Sequence, residues 1–245
     1  MEAIVLAAGK GTRMRSALPK VLHPLHGRPL VGWSLRALHD AGAEHVVVVV
    51  GHEAKAVEAR ASEDARTLGL DVSFALQASQ RGTGDAVRVG LSSLRRHDAP
   101  VVIVPGDVPA VEPKTLAGLA ERLAGDVRLG LVVFRPEDPT GYGRVVRGPD
   151  GGALRIVEDA DASEAERGIR WCNAGIYAAR GDDLARWLRG IGDDNARGEI
   201  YLTDVVARAA AEGRVVCVEA PEREVFGIND PERLAWAHTQ VPPPG

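Results

Sequence analysis

The chain has 245 residues, 45% of them hydrophobic, 26% charged and 4% aromatic, with a formal net charge of -4. That excludes a disordered chain and points to one aliphatic-cored domain with a small insertion, because apolar content is ample and aromatics are scarce. A disulfide scaffold is excluded too: Cys172 and Cys217 are the only cysteines, and both read as buried thiols of a reducing compartment.

In chain order, the sequence predicts a strand over residues 3–7, a helix over 30–41 ending at Gly42, and a strand over 45–50 with five consecutive valines. A helix over 53–66, a weaker strand over 72–75, a helix over 85–96 and a strong strand over 101–104 follow. Beyond them come a helix over 113–123, a strand over 129–134, a strand over 176–178, a helix over 202–212 and a strand over 215–218. Short, continuous, β-branched apolar runs suit strands covered on both faces, and their alternation with helical periods predicts βαβ units in a doubly wound, mainly parallel sheet. The pattern loosens over 138–170. Strand-like pieces at 144–147 and 153–157 and a polar stretch over 159–170 read there as an inserted β-rich lid. Residues 1–238 are expected to form the domain. Residues 239–245, ending in three prolines and a glycine, read as a linker-like tail.

The partner classes narrow as well. Apart from Lys10, Lys20, Lys55 and Lys114 the basic residues are scattered arginines, with no basic stripe interleaved with aromatics, so nucleic acid is not an expected partner. No apolar run approaches the roughly 18 residues of a membrane span, and Met1-Glu2 leads straight into the first strand without a signal peptide. A cytoplasmic location is expected. His23 and His26 lie in a proline-rich stretch and read as structural. No Ser–His–acid or Cys–His arrangement stands out, so covalent catalysis is not expected.

The first strand runs into Ala7-Ala8-Gly9-Lys10-Gly11-Thr12-Arg13-Met14. This is neither a dinucleotide fingerprint nor a Walker loop. It reads either as a plain tight turn or as a backbone that approaches phosphates, flanked by Lys10 and Arg13. Pro19 fixes the backbone before Lys20, which a merely solvated lysine does not need. Gln77-Ala78-Ser79-Gln80-Arg81-Gly82-Thr83-Gly84 pairs glutamine amides, able to meet a nucleobase edge, with flexible glycines; a capping loop for the next helix is the alternative. Pro105-Gly106-Asp107 ends the strong strand 101–104 with one carboxylate at the expected ligand edge, suited to a hard cation that shares phosphate oxygens. Gly143, Glu158, Asn173 and Asn229 stand in short polar interruptions, each weak alone.

Taken in order, LAAGKGTRM, PKVLH, QASQRGTGDAV, GDVP, TGYGR, IVE, NAGIY, NARGEIYLTD and GIND resemble the uridyltransferase half of the bacterial bifunctional N-acetylglucosamine-1-phosphate uridyltransferase family. The similarity runs from Leu6 to about residue 234, and PKVLH with TGYGR and EIYLTD are its most specific parts. The resemblance implies the three-layer, Rossmann-like nucleotidyltransferase fold. It also implies the reaction of UTP with N-acetylglucosamine 1-phosphate to give UDP-N-acetylglucosamine and pyrophosphate, with Mg²⁺ as cofactor.

Carried onto this sequence, the resemblance assigns the nucleotide to Leu6, Ala7, Ala8, Gly9, Gly11, Thr12, Gln77, Gln80, Gly82, Thr83, Pro105 and Gly106. Arg13 and Lys20 match its phosphate-contacting basic pair. Gly143, Glu158, Asn173, Tyr201 and Thr203 match sugar contacts, and Asp107 and Asn229 match the magnesium ligands. Arg13, Lys20 and Asp107 are thus the expected catalytic residues.

The sequence departs from the family pattern near the sugar site. Trp171-Cys172 replaces the usual Glu-Ile, and Asp159-Ala160-Asp161 replaces a basic stretch after IVE; Pro105 also stands where a Tyr or Ser is common. No hexapeptide repeats of the family's β-helix acetyltransferase half are found. A monomer, or at most a weak dimer, without acetyl transfer is therefore expected. The alternatives are a transferase for another sugar 1-phosphate or nucleotide, and an inactive nucleotide-sugar-binding module.

Overall fold

The computed structural model describes residues 1–243. It starts with β1 (Glu2–Leu6), two 3-10 turns (Thr12–Met14 and Lys20–Leu22), and a small hairpin of β2 (Pro24–Leu25) and β3 (Arg28–Pro29). Then come α1 (Leu30–Asp40), β4 (His45–Val50), α2 (Ala54–Leu68), β5 (Asp71–Leu76), α3 (Thr83–Leu91), β6 (Pro100–Pro105), α4 (Pro113–Glu121) and β7 (Val127–Phe134). The insertion holds β8 (Arg144–Arg147), β9 (Ala153–Val157) and the short α5 (Glu164–Arg167). The chain closes with β10 (Cys172–Arg180), α6 (Gly181–Arg189), a 3-10 turn (Leu202–Asp204), α7 (Val205–Glu212), β11 (Arg214–Glu219), α8 (Glu222–Val225) and α9 (Pro231–Gln240).

The main sheet runs β11-β7-β10-β6-β1-β4-β5. Strand β4 explains why it must be covered on both sides. All six of its residues are buried. Val46, Val48 and Val50 pack toward α1 and α2, while Val47 and Val49 pack on the opposite face with residues of α3. A buried valine is worth about 1.5–3 kcal/mol relative to an exposed one, so neither face tolerates solvent. The result is three layers, with α1, α2 and α4 on one side of the sheet and α3, α6 and α7 on the other. At the amino edge, away from the site described below, His45 is buried between Glu2 Oε2 at 2.8 Å and Ser73 Oγ at 2.9 Å.

The sheet is parallel at β1–β4, β1–β6, β4–β5 and β7–β11, but β10 is antiparallel to both β6 and β7. The insertion causes this reversal. Strand β7 delivers the chain to the carboxyl edge, the insertion stays there, and β10 re-enters from that edge. The insertion joins the sheet where Arg144 of β8 pairs with Cys172, and β9 pairs with β8 as a hairpin.

Four local differences from the sequence expectation have physical causes. Helix α3 starts at Thr83, directly after Gly82 turns the chain at φ 107°, and stops at Leu91 rather than continuing to 96. Helix α6 was not expected. Its Leu184, Trp187 and Leu188 form the buried stripe, while Asp182, Arg186 and Arg189 face solvent. The polar stretch 159–170 contains α5, nucleated by a capping box between Ser163 and Glu166. Helix α9 runs into the stretch read as tail: Asp230 caps it, Pro231 opens it, and Val241 beyond it is buried in a small cluster with Met14, Leu25 and Phe226. The last two residues of the expected tail, Pro244 and Gly245, lie outside the described residues. Among the described residues no helix is long and apolar enough to cross a membrane. Cys172 is buried and Cys217 half-buried, and both are free thiols. Burial pushes the Cys172 thiol up to about 11, so it stays protonated at neutral pH.

Candidate active site at the carboxyl edge of the sheet

Strand order reverses at β1: the chain goes next to β4 on one side and later to β6 on the other. The loops leaving β1 and β6 therefore diverge, and a crevice opens at the carboxyl edge between them. Because β10 is antiparallel, its first residues, including Asn173, lie at the same edge. The crevice is a cavity of about 430 Å³. Leu6, Ala8, Gly9, Gln77, Gln80, Gly82, Thr83 and Pro105 line it, with Lys20 and Asp107 and with Glu158, Asn173 and Thr203. In strand order β1 and β6, which lead to Lys20 and Asp107, lie between β5, which leads to Gln77, and β10, which starts next to Asn173.

The glutamines are held by their amide N–H groups. Gln77 Nε2 donates to Gly82 O at 3.1 Å and to Asp85 Oδ2 at 3.0 Å. Both of its donors are thereby committed, which presents the carbonyl oxygen as an acceptor for an N–H of a ligand. Gln80 Nε2 donates to Ala8 O at 2.8 Å, tying the β5 loop to the β1 loop. Gly82 is a glycine by necessity: at φ 107° an added Cβ would lie 2.5 Å from Ile200 O.

Lys20 Nζ lies 2.5 Å from Asp107 Oδ2 and 3.0 Å from Asn229 Oδ1. Pro19, at φ -50°, starts the 3-10 turn that carries Lys20. Ile228 N donates to Asp107 O at 2.9 Å, which brings the GIND segment against GDVP. Two oxygens more than a hundred residues apart thus converge on one cation. A carboxylate and an amide oxygen form a hard, incomplete donor set that suits a divalent cation completing its shell with phosphate oxygens and water. The ammonium stands in for that cation, so the residues fit such a metal.

Thr203 Oγ1 donates to Glu158 Oε1 at 3.0 Å. Burial raises the Glu158 carboxyl above its ordinary value, against the lowering by Thr203. Asn173 Nδ2 donates to Tyr177 Oη at 2.6 Å, and Asn173 Oδ1 accepts from Gly175 N at 3.0 Å across the bulge of β10. Burial and the Glu158 charge raise Tyr177 far above the ordinary phenol value, fixing it as a neutral hydroxyl. Gly143 passes its carbonyl to Asn173 N at 2.9 Å, and an added Cβ there would lie 3.5 Å from Glu158 Oε2. Tyr201 lines an adjoining cavity of about 350 Å³ that shares Glu158 and Thr203. Its hydroxyl is buried with no hydrogen-bond partner among the described residues. Burial and nearby Asp161 push it up to about 12.

The family departures acquire structural partners here. Asp159 Oδ1 accepts from buried Arg144 at 3.0 Å, and its other oxygen accepts from Gly141 N at 3.1 Å, so it holds the TGYGR loop. Trp171 is stacked between the guanidinium groups of Arg135 and Arg147, 4.5 and 4.6 Å from its centroid.

Not every expected residue reaches the cavity. Ala7 and Gly106 are buried in the backbone beneath it, with Gly106 N donating to Leu6 O at 2.9 Å. Gly11 sits behind Lys20 at φ 61°, where a Cβ would collide with the lysine's own Cβ. Thr12 and Arg13 are exposed on the 3-10 turn, with no side-chain partner for Arg13 among the described residues. Gly175, Tyr177, Glu199 and Leu202 line the cavity and were not singled out from the sequence. The positive φ of Gly175, 75°, belongs to the β10 bulge, which a single sequence signals only as a glycine after an asparagine.

Comparison with known proteins bears on the family and the fold. The family described as MobA-like NTP transferase domain matches residues 3–170. The bifunctional protein GlmU of Chromohalobacter salexigens is 48% identical over 237 residues, covering 96% of this chain and 50% of the relative. Its counterpart in Anaeromyxobacter sp. is 46% identical, covering 97% and 48%, and that of Corynebacterium aurimucosum is 44% identical, covering 96% and 49%. The chain thus spans about half the length of the curated relatives it matches. The crystal structure of UDP-glucose pyrophosphorylase complexed with UDP-glucose shares the fold, with a TM-score of 0.80 at 18% identity over 97% of each chain.

Proposed function

The chain belongs to the MobA-like NTP transferase family, and from that premise we propose that it transfers the uridylyl group of UTP to N-acetylglucosamine 1-phosphate. The products are UDP-N-acetylglucosamine and pyrophosphate. The observation that carries this reading is the convergence of Lys20, Asp107 and Asn229, with Lys20 and Asp107 lining the same cavity as the Gln77–Thr83 loop and the Glu158–Thr203 pair. Such a convergence suits the meeting of the two anions of a nucleotidyl transfer.

The reaction needs no nucleophilic side chain. A phosphomonoester with a second pKa near 6 is mostly dianionic at pH 7. Its oxygen attacks the α-phosphorus of UTP in line, the bond to the bridging oxygen breaks, and pyrophosphate carries away the electron pair. The protein orients the two anions and offsets their repulsion. Gln77 and the Gly82–Thr83 backbone receive the base, with the Gln77 carbonyl oxygen facing an N–H of uracil. Lys20, and Arg13 once its loop lies over the triphosphate, neutralise the phosphates. Glu158, Asn173, Thr203 and Tyr201 meet sugar hydroxyls, with Gly143 leaving room beside Glu158. Asp107 and Asn229 would hold Mg²⁺, whose charge offsets that of the phosphates.

The protein acts in the cytoplasm as a monomer. Its large exposed apolar side chains, Leu18, Leu76 and Leu154, are isolated from one another in sequence. Pyrophosphate release from UTP, assayed against a panel of sugar 1-phosphates, tests the reading. Turnover confined to another nucleotide or sugar overturns the substrate assignment, and absence of turnover with every pair overturns the enzyme.

A further inference from the structure

The oxygens of Asp107 and Asn229 in the candidate site share one cation, the Lys20 ammonium. Lys20 Nζ lies within 2.5 Å of Asp107 Oδ2 and 3.0 Å of Asn229 Oδ1, and the Lys20 and Asp107 side chains are 17% and 11% exposed. We propose that Lys20 is the resident cation of this site, so that a divalent metal enters only when the triphosphate draws the lysine away from Asp107 and Asn229. The inference rests on the placement of the metal at Asp107 and Asn229 under the proposed function.

Three observations support it. First, the donor pair is built to hold its position. Asn229 Nδ2 faces Gly227 O at 3.4 Å, turning its oxygen to Lys20, and Asp107 O accepts from Ile228 N at 2.9 Å. The lysine is the longest of the three side chains. Second, its stem is pinned at Cβ, while its head is held only by the two oxygens that the exchange would release. Gly11 packs against Lys20 Cβ with no room for a side chain. Rotation about the outer bonds of the stem can swing the ammonium from Asp107 into the cavity that it lines together with Ala8 and Gly9. Third, charge decides the direction. Two cations cannot share one carboxylate at this depth without repulsion that water screens poorly. Of the two substrates the triphosphate carries the larger negative charge, and it offers Lys20 a stronger anionic partner than Asp107. Metal and lysine then exchange places, and the lysine arrives where negative charge builds during transfer. A ligand without phosphates gives it no reason to leave.

Binding of Mn²⁺ alone, followed by the loss of its free-ion paramagnetic resonance signal, tests the exchange without turnover. The variants are Lys20→Gln, Arg13→Gln and Lys20→Gln combined with Asp107→Asn. In the absence of nucleotide, Lys20→Gln is expected to bind Mn²⁺ about tenfold or more tightly than the wild type. Arg13→Gln, which removes one positive charge without freeing a donor, is expected to leave the affinity within about twofold. Adding Asp107→Asn is expected to abolish the gain.

Equal affinities of the wild type and Lys20→Gln overturn the exchange. An equal gain in Lys20→Gln and Arg13→Gln also overturns it, since general charge then explains the effect. A fourth variant, Asp107→Asn alone, with Mn²⁺ binding in the presence of UTP read against a protein-free Mn²⁺–UTP control, separates this failure from that of the metal site. If Asp107→Asn weakens that binding while Lys20→Gln changes nothing without nucleotide, the site stands and the exchange falls. If Asp107→Asn changes neither, the placement of the metal itself is wrong.

Discussion

Thr83 Oγ1 accepts a hydrogen bond from the backbone N–H of Leu202 at 3.1 Å, across 119 residues of chain. The contact is one of four. Gly84 N donates to Ile200 O at 2.8 Å, Ile200 N donates to Arg81 O at 2.7 Å, and Gly82 offers the hydrogen atom that lets Ile200 come so near. The loop assigned to the base and the segment assigned to the sugar are thereby clasped into one unit. Gly82→Ala is expected to break it, because a Cβ at φ 107° would lie 2.5 Å from Ile200 O. The cost is about 1–3 kcal/mol of backbone strain, before any loss at the ligands. Thermal melting and equilibrium binding of UTP check this, with affinity falling for nucleotide and for sugar 1-phosphate together. A loss confined to the nucleotide would mean that the clasp does not couple them.

Asp107→Ala is expected to lower turnover by about 10²–10³ while the protein remains folded, through loss of the carboxylate that faces Lys20. Pyrophosphate release across a magnesium titration, with circular dichroism to confirm folding, checks it. Retention of most magnesium-dependent activity would remove Asp107 from the metal site.

Glu158→Gln separates stability from binding. Burial raises the Glu158 carboxyl above 4.5, so the folded state holds its proton to higher pH than the unfolded chain does. For an acid with a raised pKa, ionisation opposes folding. The penalty is absent below the unfolded pKa, grows as pH rises through the window between the two values, and is complete above the folded one. Glutamine removes the charge and keeps an acceptor for Thr203 Oγ1. The variant is expected to match the wild type in melting temperature near about pH 4 and to exceed it near about pH 8. Its KM for the sugar 1-phosphate is expected to rise. A melting difference independent of pH would contradict the burial argument.

Arg13→Ala is expected to leave stability within about 0.5 kcal/mol, since the side chain is exposed and unpaired among the described residues. Turnover is expected to fall about tenfold or more, because the charge acts on the triphosphate rather than on the fold. Steady-state kinetics decide the matter. An unchanged turnover number with a raised KM for UTP would limit Arg13 to ground-state binding.

The sheet was legible wherever burial on both faces writes itself as a run of one residue type. Strands β4 and β6 fall on such runs, and the hairpin 144–147 with 153–157 lies where its short strand-like pieces stand. The direction of β10 was not legible, because a central antiparallel strand covered on both faces has the same continuous apolar run as a parallel one. Helix α9 did carry a readable start, Asp230 followed by Pro231, but its apolar stripe is thin: only Ala237 is buried. At the site, residue types and order were visible, and contacts were not. Lys20 and Asn229 meet across 209 residues, and no spacing rule reaches that far. The exposed position of Arg13 is equally invisible in sequence, since a glycine-rich loop reads alike whether it lies over a ligand or away from it.

The reversal of β10 also bears on how such a protein changes over evolution. Strands β7 and β10 are neighbours, so the sheet treats everything between them as the loop of one large hairpin. The length and composition of that loop do not alter strand order, and the β1, β5 and β6 loops belong to other connections. The part of the molecule that carries Gly143 and Glu158 can therefore vary in length without reordering the sheet. Under the proposed function, the residues of this loop that face the acceptor can change without displacing the loops that carry Lys20, Gln77 and Asp107.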